Sequence, residues 1–127
     1  MAVLGIGTDI VSVARVARAC ENESFAARCF TPREWDWAGK NPARLAGAFA
    51  AKEAAAKALG TGFRGFWPAD IEITHNENGA PEIVFYNKAR EIAEALGCES
   101  VNASISHERE FAAAVVVIEG APASRAD

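Results

Sequence analysis

Asp9, Glu53 and Lys57 are the residues of this 127-residue chain whose types and setting could do chemistry. Phe49, Glu53 and Lys57 recur every four residues within an Ala-rich run, so a helix puts them on one face, with Lys52 about 100° around. A carboxylate and an ammonium are neighbours on such a face. Spacing alone admits two readings of them. One is a solvated Glu–Lys pair that adds ~0.3 to 0.5 kcal/mol to the helix. The other is a charged pair in a crevice, because Ala50, Ala51, Ala54, Ala55 and Ala58 leave little bulk and let a second backbone or a flat ligand come close. Asp9 ends an apolar segment, where a carboxylate is costly to bury without a hydrogen-bond donor or a cation. It can cap the helix that begins near Ser12. It can instead join Glu53 in holding Mg²⁺, a hard ion that takes one or two carboxylates together with waters and phosphate oxygens. In that case Lys57 neutralises the phosphate as a point charge.

Two other features are less specific. Gly5-Ile6-Gly7 lacks the third glycine of a dinucleotide-binding turn, since position 10 is Ile, and no helix begins directly after it. His107 follows Ser104-Ile105-Ser106 at a predicted hairpin turn, where a solvent-exposed histidine and a phosphate contact are both open readings. His75 carries no functional argument.

The elements that must position these residues follow from pattern. Val3 to Val11 alternates as a strand with Asp9 near its far end. Ser12 caps a short helix with Val13, Val16, Ala17 and Cys20 on one side and Arg15 and Arg18 on the other. Thr31-Pro32-Arg33-Glu34 is a capping box opening a helix to about Trp37. Asn41, Pro42 and Gly60 bound a long helix over 42–59. Ile71 and Ile73 pair across the turn at Asn76 to Gly79 with Glu82 to Tyr86. Asn87 caps a further helix that ends at Gly97. Val101 to Ser106 pairs with Phe111 to Ile118 through a turn over His107 to Glu110. The order βαααββαββ implies an α+β fold, with helices covering one face of a mainly antiparallel sheet.

Composition sets outer limits. The length suits one domain, expected over 1–119, followed by a disordered Gly-, Ala-, Pro- and Ser-containing tail over 120–127. Seventeen acidic against thirteen basic residues, a net charge of −4, argue against broad nucleic-acid binding. The longest apolar run, Phe111 to Ile118, falls far short of the roughly 20 residues of a membrane-spanning helix. Met1 leads directly into Val3-Leu4-Gly5-Ile6 without a basic leader segment, so the expected location is the cytoplasm. Cys20, Cys29 and Cys98 have no metal-site or disulfide spacing and are expected to act as small hydrophobes.

Three segments together resemble the 4'-phosphopantetheinyl transferase family, in its small holo-acyl-carrier-protein synthase branch. They are Gly5 to Val11, Phe49 to Gly62, and Ser104 to His107 followed by Phe111 to Val116; weaker matches extend the similarity over 3–119. By this resemblance Asp9 and Glu53 are the Mg²⁺ ligands and Lys57 contacts the coenzyme A pyrophosphate. Glu53 is the candidate general base for the serine hydroxyl of an acyl carrier protein, and adenosine 3',5'-bisphosphate leaves. Ser106 and His107 match contacts to the nucleotide end, and Gly60 and Gly62 let backbone approach it. Many relatives carry Arg before the Phe of the F-x-x-K-E motif, where this chain has Ala48; Arg44, four residues earlier on the helix, is the proposed substitute. The family also implies a homotrimer with interface active sites. Its first helix docks the acidic carrier protein, for which Arg15, Phe25 and Arg28 match family positions and Arg18 extends the basic patch on physical grounds. Two alternatives stand beside this reading. One is a noncatalytic binding module in which Glu53 and Lys57 are a surface pair, with RNA disfavoured by the chain's acidity. The other is the same chemistry directed at a secondary-metabolite carrier protein.

Overall fold

The computed structural model describes residues 1–122. The elements are β1 (Ala2–Ser12), α1 (Val13–Ala19), α2 (Glu23–Cys29), α3 (Pro32–Ala38), α4 (Pro42–Ala58), β2 (Ile71–His75), β3 (Pro81–Phe85), α5 (Asn87–Leu96), β4 (Cys98–His107) and β5 (Phe111–Gly120). The α+β architecture is as expected, but the strands form two antiparallel sheets: β1-β5-β4 and the hairpin β2-β3. Strand alternation puts Gly5, Gly7, Asp9 and Val11 on the inner face of the larger sheet and Ile6, Thr8 and Ile10 on the outer face.

Helix α4 is the centre of the molecule, and its Ala and Gly positions explain how it gets there. A Cβ on Gly5 would lie 1.9 Å from the carbonyl oxygen of Ala58, and one on Gly7 would lie 1.9 Å from that of Ala54. The helix backbone therefore rests directly on β1, which any side chain on those two inner positions would prevent. The partner that the alanine stripe admits is thus another backbone. Ala46, Ala50, Ala51, Ala54 and Ala55 are wholly buried there. Such small side chains bury roughly 0.8 kcal/mol of transfer energy per carbon, so dispersion from close packing supplies much of the cohesion.

A buried ionic cluster fixes how α4 is rotated. Lys52 is 0 % exposed, and its ammonium donates to Glu34 Oε1 at 2.7 Å, to the Ile71 carbonyl at 2.5 Å and to the Pro68 carbonyl at 3.2 Å. Glu34 also accepts from the backbone N–H groups of Thr31 and Ile73, both at 2.8 Å. The predicted capping box at Thr31 is present, and the same carboxylate ties α3, α4 and β2 together. Every donor on Lys52 is used, as a buried ammonium requires.

Several local expectations are corrected. The seven-residue α2, capped by Asn22, has no counterpart in the sequence reading; it is as short as α1 and α3, but with Phe25 at its third position it lacks the capping-box Glu that marks the start of α3. Asn87 is the first residue of α5, not its cap: Tyr86 holds that position, while Asn87 sits at φ 54° with its amide donating to Asp70 at 2.8 Å. His107 ends β4 opposite Ala112, so the turn is confined to Glu108 to Glu110. Gly120 belongs to β5, paired with Ala2 and Cys98, and the described part of the expected tail is otherwise Ala121 and Pro122; residues 123–127 lie outside the described residues. Cys29 is buried and its thiol is pushed up to about 11 chiefly by that burial, while Cys20 and Cys98 are only partly covered.

Candidate active site

Seating α4 on β1 brings Asp9, Glu53 and Lys57 together. The Lys57 ammonium donates to Asp9 Oδ1 at 3.1 Å and to the Thr8 carbonyl at 3.0 Å, which leaves one N–H of three free. Lys57 is half exposed and the Asp9 side chain is mostly covered. Asp9 does not cap α1; Ser12 does, accepting from the Arg15 N–H at 3.2 Å. Glu53, half-buried, has its carboxyl raised above the usual range, first by burial and then by the nearby Asp9 carboxylate, with Lys57 opposing. A half-buried carboxylate beside a second one, next to a lysine with a spare donor, forms a site that favours a cation and an anionic substrate.

The C-terminal end of α4 continues this surface. Gly60 and Gly62 adopt φ 84° and 61°, left-handed values that a side chain disfavours, and nothing lies within 4 Å of where their Cβ atoms would be. Their N–H groups close the helix onto Lys57 and Ala56 carbonyls at 2.9 and 3.1 Å. Backbone is thus bare about one turn beyond Lys57.

On the α1 side, a recess of about 310 Å³ is lined by Ile10, Ser12, Arg15, Val16, Phe25 and Phe49 among others. Phe25 and Phe49 pack with centroids 6.2 Å apart. Phe49 lies one turn from Glu53, so this recess adjoins the carboxylates. Arg15 is on its wall and Arg18 is exposed on the same helix, whereas Arg28 stands 5.4 Å over the Trp67 ring, on a neighbouring part of the surface.

The remaining candidates gather elsewhere. Arg44 and His107 line a second recess of about 210 Å³ with Trp37, Ala48, His75, Gly79 and Pro81. It sits by the N-terminal end of α4; the 13 residues from Arg44 to Lys57 span about 20 Å of helix. Ser106 does not join His107. It alternates onto the outer face of the sheet, opposite Ala113 and in the row that includes Ile10. Trp37 and His75 are recess residues that sequence reasoning missed; no spacing relates a residue of α3 to one at the end of β2. Among the described residues no helix is long and apolar enough to cross a membrane.

Comparison with known proteins shows the family. Residues 5–116 match the family model described as the 4'-phosphopantetheinyl transferase superfamily. The holo-[acyl-carrier-protein] synthase of Edwardsiella ictaluri is 43 % identical over 126 residues, covering 94 % of this chain and 100 % of that protein. The crystal structure of holo-[acyl-carrier-protein] synthase from Neisseria meningitidis superposes with a TM-score of 0.82 at 43 % identity, covering 93 % of this chain and 99 % of that one. The Helicobacter pylori holo-[acyl-carrier-protein] synthase, solved in complex with coenzyme A, gives 0.79 at 36 % identity over 90 % and 99 %. This chain is an enzyme belonging to the 4'-phosphopantetheinyl transferase superfamily.

Proposed function

We propose that the chain is a holo-acyl-carrier-protein synthase of fatty acid biosynthesis, moving 4'-phosphopantetheine from coenzyme A to a serine of an apo-acyl carrier protein. The observation that carries this reading is the Asp9–Lys57 contact beside Glu53, on a helix seated by Gly5 and Gly7, in a chain of this superfamily. The serine oxygen forms a bond to the pyrophosphate phosphorus that bears pantetheine. The bridging P–O bond breaks, and adenosine 3',5'-bisphosphate leaves. The serine proton passes to Glu53, the carboxylate that stands with Asp9 and Lys57 and can act as general base. Lys57 directs its free N–H at the pyrophosphate, and the bare backbone at Gly60 and Gly62 admits the nucleotide.

The donor set fits Mg²⁺. Asp9 and Glu53, brought together beside Lys57, offer hard oxygen donors from two carboxylates. That is the demand of an ion that fills its sphere with water and phosphate oxygens. When bound, Mg²⁺ neutralises charge that develops on the pyrophosphate as the bond breaks.

Arg44 and His107 are proposed to hold the nucleotide end, including the 3'-phosphate, with Arg44 standing in for the arginine absent at Ala48. The 20 Å of helix from Arg44 to Lys57 exceeds the separation of 3'-phosphate and pyrophosphate within one coenzyme A. This supports sites completed by two chains. The outer sheet face supports it too: Ile6 and Ile10 are 66 % and 67 % exposed, next to Val115 and Phe111. A homotrimer that covers this face accounts for both observations, and it places Ser106 at the same interface. Arg15, Arg18 and Phe25 form the docking surface for the acidic carrier, with Arg28 at its margin; the expected location is the cytoplasm.

The test is mass spectrometry of apo-acyl carrier protein incubated with this enzyme, coenzyme A and Mg²⁺. A phosphopantetheine-sized gain is expected, lost on chelation and in Asp9→Ala and Glu53→Ala. No gain with several carrier proteins, from folded enzyme, defeats the reading.

A further inference from the structure

Arg44 is an exposed arginine in the first turn of α4, where the helix dipole disfavours a cation. Something else must hold its guanidinium, and Trp37 does so twice. Arg44 Nη1 donates to the Trp37 carbonyl at 2.9 Å, and the guanidinium carbon stands 5.0 Å from the Trp37 ring centroid. Trp37 is itself clamped. The His75 ring stacks on it with centroids 3.9 Å apart and planes 13° from parallel. All three side chains line the recess that also contains His107. An arginine has five N–H donors, and the bond to Trp37 uses one, so an edge able to grip a phosphate in two-point fashion remains.

We propose that Trp37, clamped by His75, is a positioning residue that fixes the Arg44 guanidinium for the 3'-phosphate of coenzyme A. The proposal rests on the function given above. The ring restricts the torsions of a long, flexible side chain before the ligand arrives, so less freedom is lost on binding. The edge thus organised recognises a phosphate that 3'-dephospho-coenzyme A lacks, which makes the Trp37 stack a determinant of selectivity between the two.

The test is calorimetric titration of parent, Trp37→Leu, Trp37→Phe, Arg44→Ala and Trp37→Leu/Arg44→Ala with adenosine 3',5'-bisphosphate and adenosine 5'-monophosphate. Trp37→Leu is expected to weaken the bisphosphate about two- to fivefold, the size of one cation–π contact near a surface, and to leave the monophosphate unchanged. Trp37→Phe restores most of the loss because it keeps a ring, and Trp37→Leu adds nothing on top of Arg44→Ala. Equal weakening of both nucleotides, or a loss that multiplies with that of Arg44→Ala, overturns the proposal. If the parent binds neither nucleotide, this inference and the proposed function fall together. If the binding pattern holds while no serine is modified, only the proposed function falls.

Discussion

Lys52 and Glu53 are adjacent in sequence and opposite in environment, and the contrast assigns their work. Glu53 faces Asp9 and Lys57, whereas Lys52 points into the interior, where burial pulls its ammonium below the ordinary range and Glu34 opposes the shift. A buried charge without its partner is far more costly than either the intact pair or an apolar replacement. Lys52→Met is therefore expected to destabilise the protein by about 3 to 5 kcal/mol in urea unfolding, because Glu34 keeps a buried carboxylate with only backbone donors. Lys52→Met/Glu34→Gln should recover part of this, since the amide oxygen still accepts from Thr31 or Ile73. A single variant within 1 kcal/mol of the parent would mean that water or a rearranged chain already solvates Glu34.

Element-scale contacts explain why the two glycines of β1 matter more than their composition suggests. Gly7 is buried, and a methyl there would meet the Ala54 carbonyl at 1.9 Å and the Ala58 nitrogen at 2.8 Å, both rigid helix backbone. Gly7→Ala must push α4 off the sheet, costing on the order of 1 to 3 kcal/mol or more. It must also move Glu53 and Lys57 away from Asp9, so the expected outcome is a lowered Tm and a larger loss in kcat than in coenzyme A affinity. An unchanged kcat would show that the catalytic trio tolerates a displaced helix. The same contact marks where sequence reasoning reaches its limit. Asn41-Pro42 and Gly60 bounded α4 closely, the Thr31 box was correctly placed, and alternation found every strand, because those signals are local. The meeting of residues 9 and 53 came from family resemblance alone; spacing carries no information on long-range pairing. The same blindness hid the Lys52–Glu34 pair, whose carboxylate read only as a cap, and the Trp37–His75 stack. Asn22 did signal α2, but only after the fact, since any loop asparagine looks the same.

At the scale of the whole molecule, the arrangement separates the proposed catalytic trio from the proposed nucleotide clamp by about 20 Å of one helix, so two copies must share each site in the proposed trimer. Such sharing has a consequence that no single-chain enzyme can imitate. A Glu53→Gln chain lacks the base but keeps Arg44 and His107, and an Arg44→Ala chain lacks the clamp but keeps the trio. Mixed as one-to-one trimers, about one quarter of the sites combine the sound trio of one chain with the sound clamp of its neighbour. At coenzyme A concentrations below KM, co-refolded mixtures are expected to exceed the mean of the two variants assayed separately, approaching about one quarter of the parent rate. Native mass spectrometry of the same mixtures identifies the mixed trimers and ties the gain to them. Activity equal to the mean, with mixed trimers present, would place Arg44 and Glu53 in the service of one site within one chain and remove the geometric reason for assembly.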